Sequence, residues 1–379
     1  MRFEKRLLRV AGGLLVACAA TAISIAPVTA HPDSAETSDA AAIVHANGVT
    51  TTTGTSTARS RAPFTAAEMA AAKPYPVPEQ SGAGSAQGST VSTRATGAAS
   101  TSPGSAPADL DQIRSGGTRA PKLLLSNGDA SVLQTGVYPS PFDRWEYFAK
   151  YRNFPISPIG KLFFTQDGTN FVCSAATVGP NEIWTAGHCT AGGGGGAFDT
   201  FVEFCPSYDI SQGGVNPGVG CWFGDGNMAT TTAWFNDGCL NRDMGAIHIN
   251  PNGTLFNTAI GNITGFEGFA WNFARDQHKE QFGYPAAAPF NGGKIIQVAS
   301  EWWATENGGA CPTDPNAPAS DSFGNDMTGG SSGGPHLLSF GSGNFINGHN
   351  DWRFNARPQE MNSPYFDDTA NNIRLAENF

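Results

Sequence analysis

Residues 329–335 read GGSSGGP. A run of small residues with two serines has the composition of a flexible linker, yet a serine held between glycines is also how a nucleophile is presented on a tight turn. The two readings imply different folds, because a linker separates domains whereas a nucleophile turn lies inside one. What else the chain carries decides between them.

Two further segments hold chemistry. Residues 173–189, CSAATVGPNEIWTAGHC, place apolar residues in alternation on either side of a Gly179-Pro180-Asn181 turn, which predicts a hairpin. Cys173 and Cys189 stand where a disulfide could clip the hairpin's ends together. Such a bridge would fix His188 at a strand end, and a general base must be held within hydrogen-bond reach of its nucleophile. Residues 240–249, LNRDMGAIHI, set Asp243 directly before a short apolar strand. A carboxylate entering a core strand is costly to bury unless it is hydrogen-bonded; an imidazole N–H would meet that need and hold the ring in one tautomer. Each residue also has an ordinary reading, His188 as a structural histidine and Asp243 as a turn residue opening a strand.

In chain order, His188, Asp243 and a serine of GGSSGGP follow one of the recurrent orders of a serine-hydrolase triad. On these motifs the sequence resembles the trypsin- and chymotrypsin-like serine peptidases, particularly the exported bacterial branch that includes glutamyl endopeptidases. TAGHC matches the family's histidine motif, with the expected partner cysteine at Cys173; NRDMGAI resembles its aspartate motif, and GGSSGGP the usual Gly-Asp-Ser-Gly-Gly-Pro. The resemblance covers about residues 155–379. It implies an all-β fold of two antiparallel β-barrels, about 155–255 and 262–366, with the active site between them and a short C-terminal helix for which Asp367 or Asp368 is the N-cap.

Carried onto this chain, the resemblance makes Ser332 the nucleophile, His188 its base and Asp243 the group that orients His188. The N–H groups of Gly330 and Ser332 form the oxyanion hole, where each donor is worth ~3 kcal/mol of barrier. The implied function is a secreted serine endopeptidase, a monomer that cleaves protein or peptide substrates through an acyl-enzyme and needs neither metal nor organic cofactor. Ser331 departs from the animal digestive members, whose aspartate there pairs with a new N-terminus after activation. The expectation here is that removal of a pro-segment unblocks the cleft. For the primary pocket the sequence gives opposed signals: Asp326, six residues before Ser332, favours Lys or Arg, whereas His349 on the following strand favours an acidic side chain, and an apolar preference stays open beside both. Trp352 falls where a family tryptophan lines the substrate strand, although Asn350-Asp351-Trp352-Arg353 is not the usual Ser-Trp-Gly.

The rest of the chain frames this reading. Residues 1–30 have the basic, apolar and small-residue regions of a secretory signal, while a box ending at Cys18 also resembles a lipoprotein signal. Residues 31–118 are dominated by Ala, Thr, Ser and Gly, too poor in large apolar side chains to offset their own ordering entropy, and read as a pro-segment or linker. Residues 119–379 form the peptidase domain, and within them 120–154 are expected to wrap the first barrel or to be the last part of the pro-segment. Beyond Cys18 the cysteines are Cys173, Cys189, Cys205, Cys221, Cys239 and Cys311, an even count that in an exported chain points to disulfides and leaves their connectivity open. Cys205–Cys221, which bracket a glycine-rich loop, and Cys239–Cys311 are expectations only. The net charge is −10, with no cluster of Lys or Arg in the folded part, which argues against nucleic acid. No later segment has the length of a membrane span. Two alternatives are an inactive peptidase-like binding or adhesion module and a lipid-tethered stalk protein.

Overall fold

Strand β1 (Ile159–Gln166) turns into β2 (Thr169–Gly179) through Asp167-Gly168, both at positive φ (48° and 73°), the two-residue hairpin turn that Asp-Gly favours. β2 then pairs with β3 (Glu182–Thr185) as the predicted hairpin, with Gly179 opposite Glu182. The remaining strands of this half are β4 (Thr200–Pro206), β5 (Trp222–Thr231) and β6 (Gly245–Ile249). Pairing runs β1-β2-β3-β6-β5-β4 and returns to β1, antiparallel throughout, so the six strands close into a barrel. Leu162, Phe164, Ile183, Phe204, Trp222 and Ile247 fill one of its cores, each fully buried. Burying a side chain of this size contributes about 1.5–3 kcal/mol.

The protein is known here from a computed structural model that describes residues 42–52, 62–82, 97–107, 134–135, 141–146 and 153–376. The signal reading of 1–30 and the Cys18 box lie outside them. The second half carries β7 (Gly268–Trp271), β8 (Glu280–Gly283), β9 (Ile296–Ala299), β10 (Trp302–Glu306), β11 (Ser320–Gly324), β12 (Pro335–Leu338), β13 (Phe345–His349) and β14 (Glu360–Ser363). They form two sheets, β7-β13-β12-β8-β9 and β10-β11-β14, in which β7 and β13 are parallel and the other pairs antiparallel. Ser300 makes the corner between them: its hydroxyl accepts from the N–H groups of Trp302 and Gly324, each at 3.1 Å. The C-terminal helix, Asp368–Ala376, is capped by Asp367, whose carboxylate accepts from Thr369 N at 2.9 Å. The two-barrel fold with a short terminal helix is therefore present.

Two expectations about the flanking segments need correction. Parts of 31–118 are ordered: Val49–Thr52 extends β5, Lys73–Pro74 pairs with β2, and Ser100–Ser102 pairs with β7. Composition bears on whether such a segment can build its own core, not on whether it can complete an edge that another domain offers. Within 120–154, the described strands Gln134–Thr135 and Asp143–Glu146 pair with β10 and β9, on the second half rather than the first.

All three expected disulfides are formed: Cys173–Cys189, Cys205–Cys221 and Cys239–Cys311. The last spans 72 residues against 16 for the others and joins the chain beyond β5 to the loop between β10 and β11. Loop-closure entropy then gives it about 4 kcal/mol against about 3 for the shorter pair. Thermal unfolding of Cys239→Ser/Cys311→Ser and Cys205→Ser/Cys221→Ser proteins should show the larger loss of Tm for the first; an equal or smaller loss would contradict this ranking.

Candidate active site

His188 lies in a single 3-10 turn, Gly187–Cys189, directly after β3, and the Cys173 bridge ties that turn to β2. Asp243 grips it twice. The backbone N–H of His188 donates to Asp243 Oδ1 and the ring Nδ1–H to Oδ2, both at 2.7 Å, with both residues fully buried. A carboxylate can only accept, so the proton is on Nδ1 and Nε2 carries the free lone pair.

Asp243 is held from the side of the second half. It follows the 3-10 turn Leu240–Arg242. Asn241 accepts from Gly308 N at 2.9 Å and Ser320 Oγ at 3.1 Å, and donates to Asn307 at 2.9 Å. Arg242 pairs with Asp314 at 2.8 Å and with the helix cap Asp367 at 2.9 Å. The Asp243 carbonyl accepts from His349 Nε2 at 3.0 Å.

Ser332 comes from the second half. Its carbonyl accepts from Ser174 N at 2.8 Å and lies 3.9 Å from Cys189 Sγ, which sets the serine turn beside the histidine turn. Gly333 has φ of +79°, and a β-carbon there would fall 2.0 Å from Thr185 Oγ1, so only glycine lets the turn approach the first barrel this closely. Asn350 anchors the turn: its carbonyl accepts from Gly333 N at 2.8 Å and its N–H donates to Gly334 O at 2.9 Å. Ser332 Oγ and His188 Nε2 are both buried, and neither has a hydrogen-bond partner among the described residues.

Residues 73–80, KPYPVPEQ, lie against the histidine ring and the start of the serine turn. Tyr75 stacks on the His188 ring at 4.9 Å, and its carbonyl accepts from Gly330 N at 3.0 Å. Pro76 passes Gly329, and Val77 is buried with Ile296, Val298, Met327 and Met361. Pro78 O then accepts from Arg353 N at 3.0 Å, and Glu79–Gln80 runs parallel to Arg353–Phe354. Sequence reasoning missed this strand. Prolines at 74, 76 and 78 were its signal, since each fixes an extended backbone.

The residues expected to line the pocket fall differently. Asp326 forms an ion pair with Arg144, so its charge is met within the chain. His349 faces no pocket: Trp184 Nε1 donates to its Nδ1 at 3.1 Å and its Nε2 is spent on Asp243, which leaves no nitrogen for an acidic side chain. Trp352 is fully buried against Trp234, Leu240 and Phe354, and donates to Ser320 Oγ at 3.1 Å. Asp351, whose role the sequence did not disclose, sends Oδ1 to 3.4 Å from His188 Nδ1.

No family model and no curated protein matches the chain. Among solved structures it is similar to the thermostable serine protease AL20 from an extremophilic microorganism, at 31% identity and a TM-score of 0.51 over 59% of this chain and 98% of that one. Protease Anisep from Arthrobacter nicotinovorans matches at 30% identity and a TM-score of 0.51, over 59% and 97%. A Glu endopeptidase matches at 18% identity and a TM-score of 0.47, over 62% and 97%. The chain belongs to the chymotrypsin-like serine protease family.

Burial holds His349 at about 4, below the ordinary 6.5 of histidine, and pushes the fully buried His336 down as well. A folded-state pKa below the unfolded one means that the unfolded chain binds the proton first, so stability is full above pH 6.5 and falls as pH drops toward 4. The loss from His349 is on the order of 3 kcal/mol at the low end. Urea midpoints should fall across this window, and a His349→Gln protein should show a shallower fall; an unchanged slope would contradict the neutral, buried assignment.

Proposed function

We propose that the protein is a serine endopeptidase that hydrolyses peptide bonds through an acyl-enzyme. The observation that carries the reading is the doubly hydrogen-bonded His188–Asp243 pair, with its free Nε2 on the turn that adjoins the Ser332 turn. His188 takes the Ser332 proton as Oγ attacks the carbonyl carbon, and Asp243 stabilises the imidazolium. The N–H groups of Gly330 and Ser332 receive the charge on the tetrahedral oxygen. His188 then gives its proton to the leaving amine, and water repeats the cycle to release the acid. Three disulfides and protease relatives support an exported, extracellular enzyme.

The same reading makes the full chain a latent precursor. Tyr75 O occupies the Gly330 donor, its ring covers His188, and Val77 is buried with Met327 and Met361. Removing residues 73–80 from the cleft opens the enzyme. Val77 also indicates what the cleft takes: with Asp326 answered by Arg144 and His349 closed off, an apolar side chain fits best beside Met327 and Met361.

A fluorophosphonate probe, with the labelled peptide identified by mass spectrometry, tests the nucleophile. Label on Ser332, absent from Ser332→Ala and at least roughly tenfold faster after proteolytic trimming of the full chain, is expected. Trimmed, folded protein that stays unlabelled would contradict the peptidase reading and leave a binding module. Equal rates before and after trimming would contradict latency. In a peptide library the trimmed enzyme should favour Leu, Val or Met before the cleaved bond; a preference for Lys, Arg or Glu would contradict the pocket assignment.

A further inference from the structure

Asp351 lies between two anchored neighbours. Asn350 is fixed by its bonds to Gly333 and Gly334 and by its side-chain donation to Phe282 O at 2.8 Å; Trp352 is fixed by Ser320 and by pairing with Asn362. The backbone therefore delivers the Asp351 carboxyl to one place, inside the His188–Asp243 pair. Side-chain ligand atoms of the three residues lie within 4.8 Å of one another, all fully buried. Both oxygens of Asp351 are without a hydrogen-bond partner among the described residues.

The donors of His188 and His349 that face Asp243 are already committed. His188 spends its backbone N–H and its Nδ1–H on Asp243, and His349 spends Nε2–H on the Asp243 carbonyl. His349 stays neutral through burial, and the Tyr75 ring and Trp234 face the imidazole without charge. Arg353, two residues beyond Asp351, is tied to Glu79, and Arg242, next to Asp243, is tied to Asp314 and Asp367. Among the described residues, His188 is the only basic side chain within ion-pair distance of Asp351. Two ionised carboxylates sharing one imidazole in a dry site cannot both be neutralised. A proton between them removes the conflict and turns an acceptor–acceptor contact into an O–H to carboxylate hydrogen bond, among the shorter and stronger kinds.

We propose that Asp351 is a positioning residue that remains protonated and donates its carboxyl proton to the Asp243 carboxylate, bracing Asp243 against His188. The proposal rests on the serine-peptidase reading for its kinetic consequence, though not for the proton itself. Burial, and after it the Asp243 charge, hold the Asp351 carboxyl well above the ordinary carboxylate range. During turnover the Asp351 proton stays in place: as His188 becomes imidazolium its countercharge is the single carboxylate of Asp243, so the ring remains able to release its proton to the leaving amine.

The test compares the wild-type full chain with Asp351→Asn and Asp351→Ala. The infrared difference spectrum of wild type against Asp351→Asn at neutral pH should contain the C=O stretch of a protonated carboxylic acid. After proteolytic activation, Asp351→Asn, which keeps a neutral donor of the same shape, should retain kcat within about threefold and leave the pH profile of kcat/KM in place. Asp351→Ala should lose roughly 10- to 100-fold in kcat with KM unchanged, the cost of a displaced base. Absence of the protonated band, Asn falling as far as Ala, or Ala retaining full kcat would each overturn the proposal. Presence of the band in a protein whose Ser332 does not react would keep the buried proton and discard the peptidase reading instead.

Discussion

The Asp243 carboxylate is fully buried and accepts two hydrogen bonds from His188, one from the backbone and one from the ring. A charge in that position is tolerable only if its hydrogen bonds are complete, so the surrounding structure is committed to keeping them so. The Cys173–Cys189 bridge fixes the histidine turn from the first barrel. Asn241 and Arg242 fix the aspartate turn from the second half, one against Gly308 and Ser320, the other against Asp314 and the cap of the terminal helix. The short helix after β14 thus bears on the site as well as closing the fold.

The cleft is covered by the chain itself. Residues 73–80 supply in one strand a carbonyl for Gly330 N, an aromatic face for His188 and an apolar side chain for the Met327 cluster. These are contacts a bound polypeptide makes, supplied here at the effective concentration of an attached segment. The composition of the surrounding sequence is that of a chain without its own core, and its order comes from edges of β2, β5 and β7 that it completes. Such a segment is held by hydrogen bonds and few buried side chains, as the proposed latency requires.

Much of the fold was legible because its signals are local. The Gly179-Pro180-Asn181 turn, the cysteines at the ends of its hairpin and the Asp before GAIHI each state a geometry in a few residues. GGSSGGP resolves into a turn whose Gly333 has no room for a side chain. What escaped was set by partners distant in sequence. His349 sits near the serine turn in the chain, but its nitrogens belong to Trp184 and to Asp243 O, contacts that span 165 and 106 residues. Asp326 reads as a pocket charge until Arg144 meets it from 182 residues away. Asp351 reads as a variant of a familiar motif, and only the packing brings it against the histidine.

Asp243 holds His188 in one tautomer that leaves Nε2 free, as the proposed base requires. Nitrogen NMR of the full chain, labelled at histidine and assigned by a His188→Gln protein, reads that directly at neutral pH. A protonated Nδ1 with a downfield proton and an unprotonated Nε2 are expected. A His188 signal with its proton on Nε2 would mean that the pair is not oriented as described, and the assignment of His188 as a base would fall with it.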